Sequence, residues 1–143
     1  MNTPKKTEHL YEDPKINVKI KLSALWATVM FCYVYGDYFG LYTPGTVQEM
    51  IAGKMGPLGA ATQGVLAGTS AMMAIPSLMV FLSLVLPPRV NRVLNVVLGI
   101  IYTLIILASM PGTWAYYIFF GVIEVVLTLS VAWYAWTWPR LRT

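Results

Sequence analysis

The sequence is short of most of what soluble catalysis needs. It has a single cysteine, Cys32, so no disulfide can form within the chain. It has a single histidine, His9, set in a polar N-terminal stretch. A bis-histidine haem, a Cys/His zinc centre and a vicinal dithiol all require more than these two residues. Charged residues make up only 11% of the 143 positions, against about 25% in an ordinary soluble domain. No Gly-rich phosphate loop, HExxH, GxSxG or Ser/His/Asp set occurs. We therefore nominate no catalytic residue, no metal ligands and no cofactor, and an intramembrane enzyme ranks last among the functional readings.

What is plentiful is apolar surface. Hydrophobic residues reach 57% and the mean hydropathy is +0.64, which identifies a polytopic membrane protein without saying what it does. The formal net charge is +4. The basic residues flank apolar stretches, so membrane orientation accounts for them and nucleic acid is not an expected partner.

Residues 1–19 read as a solvated tail carrying Lys5, Lys6, Glu8, Glu12, Asp13, Lys15 and Lys19. Four apolar stretches follow, at about 20–42, 60–86, 90–110 and 114–138, and residues 139–143 form a short C-terminal tail. Each stretch has about the 20 residues needed to cross a bilayer core at 1.5 Å per residue. A spanning backbone must satisfy its own hydrogen bonds, and the alternation of a barrel strand is absent, so the expected fold is all-α: a four-helix transmembrane bundle. The first stretch is long and lacks a small-x-small cleavage site, which favours an uncleaved anchor. Pro87-Pro88-Arg89 and Pro111-Gly112-Thr113 are sharp breaks, predicting antiparallel sequential helices in an up-down arrangement.

Nine of the ten Lys and Arg residues fall on one side of that arrangement, leaving Lys54 alone on the other. The asymmetry predicts a multi-pass protein with both termini cytoplasmic. Residues 44–54 form the longest connection, on the outer side. Thr46 and Glu49 have capping-box spacing, Gly53 suits a helix C-terminus, and Val47, Met50 and Ile51 share a face, so a short interfacial helix is expected there. Aromatic residues cluster at span ends: Trp114, Tyr116 and Tyr117 at one end of the fourth stretch, and Trp133, Tyr134, Trp136 and Trp138 at the other. They read as headgroup anchors.

Two acids lie inside the spans away from the basic ends: Asp37 in the first and Glu124 in the fourth. Burying such a group costs at least about 2.5–3.5 kcal/mol on insertion scales, so an intramembrane acid is a candidate functional site. Taking Phe31 and Val126 as midpoints, Asp37 lies about 9 Å and Glu124 about 3 Å to the outer side of the midplane. No Lys or Arg shares that depth. Glu124 is then either protonated, or hydrogen-bonded by hydroxyls, or charged and holding a cation, a proton chain or a partner's basic group. Tyr33 shares a face with Asp37, and Thr128 shares one with Glu124. Tyr102, near the middle of the third span, is a third possible hydroxyl donor. These five residues are the candidate site, with Tyr102 and Thr128 expected to orient Glu124. The plainer alternative is that Glu124 glues helices together as a neutral acid.

Gly64 and Gly68 in the second span and Gly36 and Gly40 in the first form small-xxx-small pairs, expected to pack those helices together or to make an oligomer contact. Pro76 should kink the second span. Met72 and Met73 read as core filler, and Cys32 as a small apolar core residue. Besides the lipid bilayer, the partners these features allow are a second copy of the chain or a larger membrane complex.

The run Lys19-Ile-Lys-Leu-Ser-Ala-Leu-Trp26, continuing into Tyr33-Val-Tyr-Gly-Asp37-Tyr-Phe-Gly40-Leu-Tyr-Thr-Pro-Gly45, resembles an uncharacterised bacterial family of about this length. In size, span number and terminus placement the chain is also broadly similar to the DoxX-like class of small four-helix membrane proteins. The resemblance implies this fold and a bacterial inner membrane. It supplies no activity, and the paired cysteines of redox members of that class are missing here. The first functional reading is an acidic site that binds or passes a proton, a cation or a small cationic or polar molecule. The alternative is an accessory or scaffold subunit without catalysis.

Overall fold

In a computed structural model, residues 14–139 are described. The expected tail positions 1–13, with Lys5, Lys6 and His9, and positions 140–143, with Arg140 and Arg142, lie outside the described residues. The elements of the described residues are all helices. The long helices are α1 (Val18–Gly40), α3 (Gln63–Val85), α4 (Pro88–Ser109) and α5 (Ala115–Trp136), with a short α2 (Thr46–Ile51) between the first two. Each long helix is long and apolar enough to cross a membrane, so the chain is a multi-pass membrane protein built as a four-helix bundle.

Local chemistry sets the helix ends. The Asn17 side chain accepts the Lys19 amide at 2.9 Å and starts α1. Thr62 does the same for α3, accepting from Val65 N at 3.3 Å. Pro88 occupies the first turn of α4, where a missing N–H costs nothing. The α2 helix forms where expected, but without the capping box. Its N-cap is Gly45, at φ 90, which places Thr46 one position inside the helix. The Thr46 hydroxyl meets the Thr43 hydroxyl at 2.5 Å instead. The other end follows the glycine rule: Gly53, at φ 72, lets Gly53 N–H reach Met50 O and Lys54 N–H reach Glu49 O, a Schellman closure.

Each long helix turns one stripe inward. On α1 it is Leu22, Trp26, Val29, Cys32 and Gly36. On α5 it is Gly121, Glu124, Thr128, Val131 and Ala135. The spacings of three and four residues are those of one helical face. Around the bundle, α1 packs against both α3 and α5, and α4 packs chiefly against α5, while α3 and α4 touch only lightly. The two-residue link between α3 and α4 therefore joins sequential helices that share little packing.

The end that carries that turn is densely tied. Leu22, Trp26, Met79, Tyr102, Val131 and Ala135 form the main apolar cluster. Beside it, Asn95 Oδ1 accepts from Trp26 Nε1 at 2.7 Å and from Ser83 Oγ at 3.4 Å. Asn95 Nδ2 donates to Asn91 Oδ1 at 2.6 Å, and Asn91 Nδ2 donates to Ser83 O at 2.6 Å. A fully satisfied buried network of this kind fixes three helices in register. Two cations at this end serve the helix termini. Lys19 Nζ donates to Leu84 O and Leu86 O at 3.1 and 2.7 Å, and Arg92 donates to Ala135 O and Trp136 O at 3.2 and 3.1 Å. Positive charge at a helix C-terminus is favoured by its dipole and satisfies orphan carbonyls.

Among the helix glycines, the tight backbone contact is not at the expected pairs but at Gly99. A Cβ on Gly99 would lie 2.8 Å from Thr128 O and 3.1 Å from Ala132 N, so glycine there lets α4 meet the backbone of α5. A Cβ on Gly68 would meet nothing within 4 Å, and one on Gly64 only its neighbour Thr62. The inward stripe of α3 runs through Val65, Thr69, Met72, Pro76, Met79 and Ser83, which leaves Gly64 and Gly68 exposed. On α1, Gly36 lines a cavity rather than a helix contact, and Gly40 faces the Tyr116 hydroxyl.

Candidate functional site

Toward the α2 end α1 presents Gly36, and α3 and α4, which touch only lightly, both contribute lining residues to a partly enclosed cavity of about 120 Å³. From α1 its wall takes Tyr33, Gly36 and Asp37; from α5 it takes Tyr117, Phe120 and Glu124. Met72 and Met73 of α3, and Tyr102 and Ser109 of α4, complete the polar and sulfur-bearing part of the lining. Four of the five expected site residues, Glu124, Asp37, Tyr33 and Tyr102, thus share one wall. Thr128 does not.

Glu124 occupies the inward stripe of α5 between Gly121 and Thr128 and is 7% exposed. Among the described residues, no hydrogen bond reaches its carboxyl group, and no Lys or Arg lines the cavity. Among the described residues no fully buried side-chain oxygen lacks a partner, so the Glu124 carboxyl oxygens are open to the void they line. Asp37 is exposed and lies on the wall of a second, more open hollow of about 550 Å³ beneath the connection between α1 and α3. Gly36, Asp37 and Tyr117 border both spaces. Asp37 therefore stands at the threshold between the vestibule, which also carries Glu49 and Lys54, and the chamber holding Glu124.

The two hydroxyls expected to orient Glu124 are committed elsewhere. Tyr102 Oη donates to Met72 O at 2.5 Å. Met72 is four residues before Pro76, whose missing N–H would otherwise leave that carbonyl unpaired. The tyrosine therefore repairs the proline break in α3. Thr128 Oγ1 lies 2.9 Å from the backbone carbonyl of Glu124 and 2.7 Å from Thr103 Oγ1, and Thr103 Oγ1 lies 2.7 Å from Gly99 O. Each hydroxyl has one proton, so the pair shares its two protons between two helical carbonyls and each other, which cements α4 to α5. Ordinary helix geometry placed Thr128 on the face of Glu124, but its short side chain reaches its own backbone first.

Some of the wall was not anticipated. Tyr117 and Phe120 lie on the aromatic-rich start of α5, and Tyr117 Oη donates to Ser109 Oγ at 3.2 Å across the α4–α5 turn. Tyr117 had every mark of a headgroup anchor, and Met72 and Met73 of core filler. Nothing in their spacing separates those roles from cavity lining, because the cavity exists only where two helices part.

Residues 10–142 match a family of unknown function, DUF6326. The match agrees with the uncharacterised family expected from the α1 sequence and does not bear on the broader DoxX-like likeness. No curated protein and no solved structure matches the chain.

Proposed function

The chain belongs to the DUF6326 family, and we propose that its activity resides in the Glu124–Asp37 chamber: an acidic site that binds or passes a proton, a cation or a small cationic or polar molecule. One observation carries the reading. Glu124 is 7% exposed, lacks a hydrogen-bond partner among the described residues and borders a cavity. An acid kept in an apolar slab with no bond to show for it is a cost to folding, and a ligand or proton supplies the missing partner. Asp37, at the junction with the vestibule, is the entry carboxylate. The excess of Lys and Arg at the Lys19/Arg92 end supports a cytoplasmic placement of that end, so the vestibule faces outward.

The test is reconstitution of the full chain in liposomes loaded with a pH-sensitive dye, with an imposed cation or proton gradient. Glu124→Gln keeps the shape and removes the charge. Flux or cation binding should fall by more than ten-fold while the variant remains monodisperse. Equal flux and equal binding in both proteins would remove the reading.

A scaffold role has one observation in its favour. Gly64 and Gly68 are exposed on α3, and among the described residues no other helix lies within 4 Å of a Cβ built on either, as a contact with a second copy or a larger complex needs. Native mass measurement in mild detergent distinguishes a monomer from a self-associated form.

A further inference from the structure

The chemistry of the chamber wall narrows its ligand. This step rests on the acidic-site reading above. The wall has two carboxylates, Glu124 and Asp37, and four aromatic rings, Tyr33, Tyr102, Tyr117 and Phe120. Its hydrogen-bond donors are almost spent: Tyr102 gives its proton to Met72 O, Tyr117 to Ser109 Oγ, and Ser109 to Ile106 O. The Tyr33 hydroxyl is the one lining hydroxyl without a bond among the described residues. An anion or a neutral acceptor would find little to hold it. A hard metal cation would need about six oxygen ligands, and the described residues contain no group of three or more His, Cys, Asp or Glu able to bind one. Carboxylates set among aromatic rings suit a different guest. They attract an organic cation both by charge and through the ring quadrupoles, and they replace its weak hydration with carbon contact. The volume sets the size. A cavity of about 150 Å³ in another protein accepts benzene, with six non-hydrogen atoms, so the 120 Å³ here suits about five.

We propose that the chamber between Glu124 and the Tyr33, Tyr102, Tyr117 and Phe120 rings is a binding site for a small organic ammonium ion of about five non-hydrogen atoms, admitted past Asp37.

Radiolabelled tetramethylammonium is the probe, with the purified full chain in lipid nanodiscs. Binding should be saturable and resist a ten-fold excess of sodium. It should weaken at least ten-fold in Glu124→Gln and several-fold in Phe120→Leu, which keeps apolar bulk but removes the ring. Tetrabutylammonium should compete at least ten-fold less well than unlabelled tetramethylammonium, a comparison made on the unaltered chain and so independent of whether a variant folds. Equal competition by the two sizes, equal displacement by sodium, or unchanged binding in a monodisperse Phe120→Leu would each overturn the ammonium assignment. Absence of tetramethylammonium binding alongside Glu124-dependent proton or sodium flux overturns it while leaving the acidic site standing. Absence of binding and of any Glu124-dependent flux overturns both.

Discussion

The Tyr102 hydroxyl donates to the Met72 carbonyl at 2.5 Å, and Met72 is the residue whose carbonyl Pro76 leaves without its helical partner. One side chain on α4 thereby mends a break in α3, at a point where these two helices otherwise have little contact. The same bond borders the chamber that holds Glu124.

This pairing has a measurable consequence. Tyr102→Phe removes the donor and strands a carbonyl in an apolar setting, which costs about 1–3 kcal/mol. Pro76→Ala restores an amide at position 76 that can bond Met72 O within α3. In the Pro76→Ala background the Tyr102→Phe penalty should shrink by at least half, a coupling that a double-mutant cycle of thermal or denaturant stability in detergent reads directly. Equal penalties in both backgrounds would show that the hydroxyl does not serve that carbonyl.

Gly99 and Gly68 make a contrasting pair. Gly99→Ala brings a methyl group to 2.8 Å from the Thr128 carbonyl, backbone that cannot swing aside, and should destabilise the bundle by about 1–3 kcal/mol. Gly68→Ala meets nothing within 4 Å, and helix propensity favours alanine by about 1 kcal/mol. It should leave the melting temperature equal or higher. A loss at Gly68 comparable to that at Gly99 would mean that the exposed face of α3 is covered by another molecule.

The buried amide network should behave as structure rather than as a site. Asn95→Ala leaves Trp26 Nε1 and Asn91 Oδ1 without their partners and opens a void, at about 2–5 kcal/mol. Much of the chain should then fail to extract as a monodisperse species, as size-exclusion chromatography would show. Binding or flux per folded molecule should stay unchanged.

Glu124 should do the reverse. Its carboxyl group has no bond among the described residues to lose, and insertion scales count a buried acid as a cost. Glu124→Gln should therefore leave stability equal or raise it by about 1 kcal/mol, while removing activity. Melting in nanodiscs alongside the flux assay separates the two roles. A loss of 2 kcal/mol or more, on the order expected for breaking a satisfied buried pair, would make Glu124 a helix fastener.

Composition and periodicity alone determined a good deal. Four apolar runs of bilayer length with proline breaks between them have essentially one solution in lipid, a helical bundle, and a short helix ending at Gly53 follows from its turn chemistry. Glu124 stands inside an apolar span with no Lys or Arg at its depth, so its candidacy was legible without coordinates. Which face turns inward was not, because in an apolar environment both faces of a helix are hydrophobic and the amphipathic signal that orients a soluble helix is weak. Tertiary packing alone decided that Gly99, and not Gly64 or Gly68, is the point of close approach. It alone gave the Tyr102 proton to Met72 and set the Thr128 hydroxyl against that of Thr103, and among the described residues the Glu124 carboxyl group is left without a bond. The chamber itself is bounded by side chains of all four long helices, and a void among helices is a property of how they are spaced, which no residue on any one of them encodes by itself.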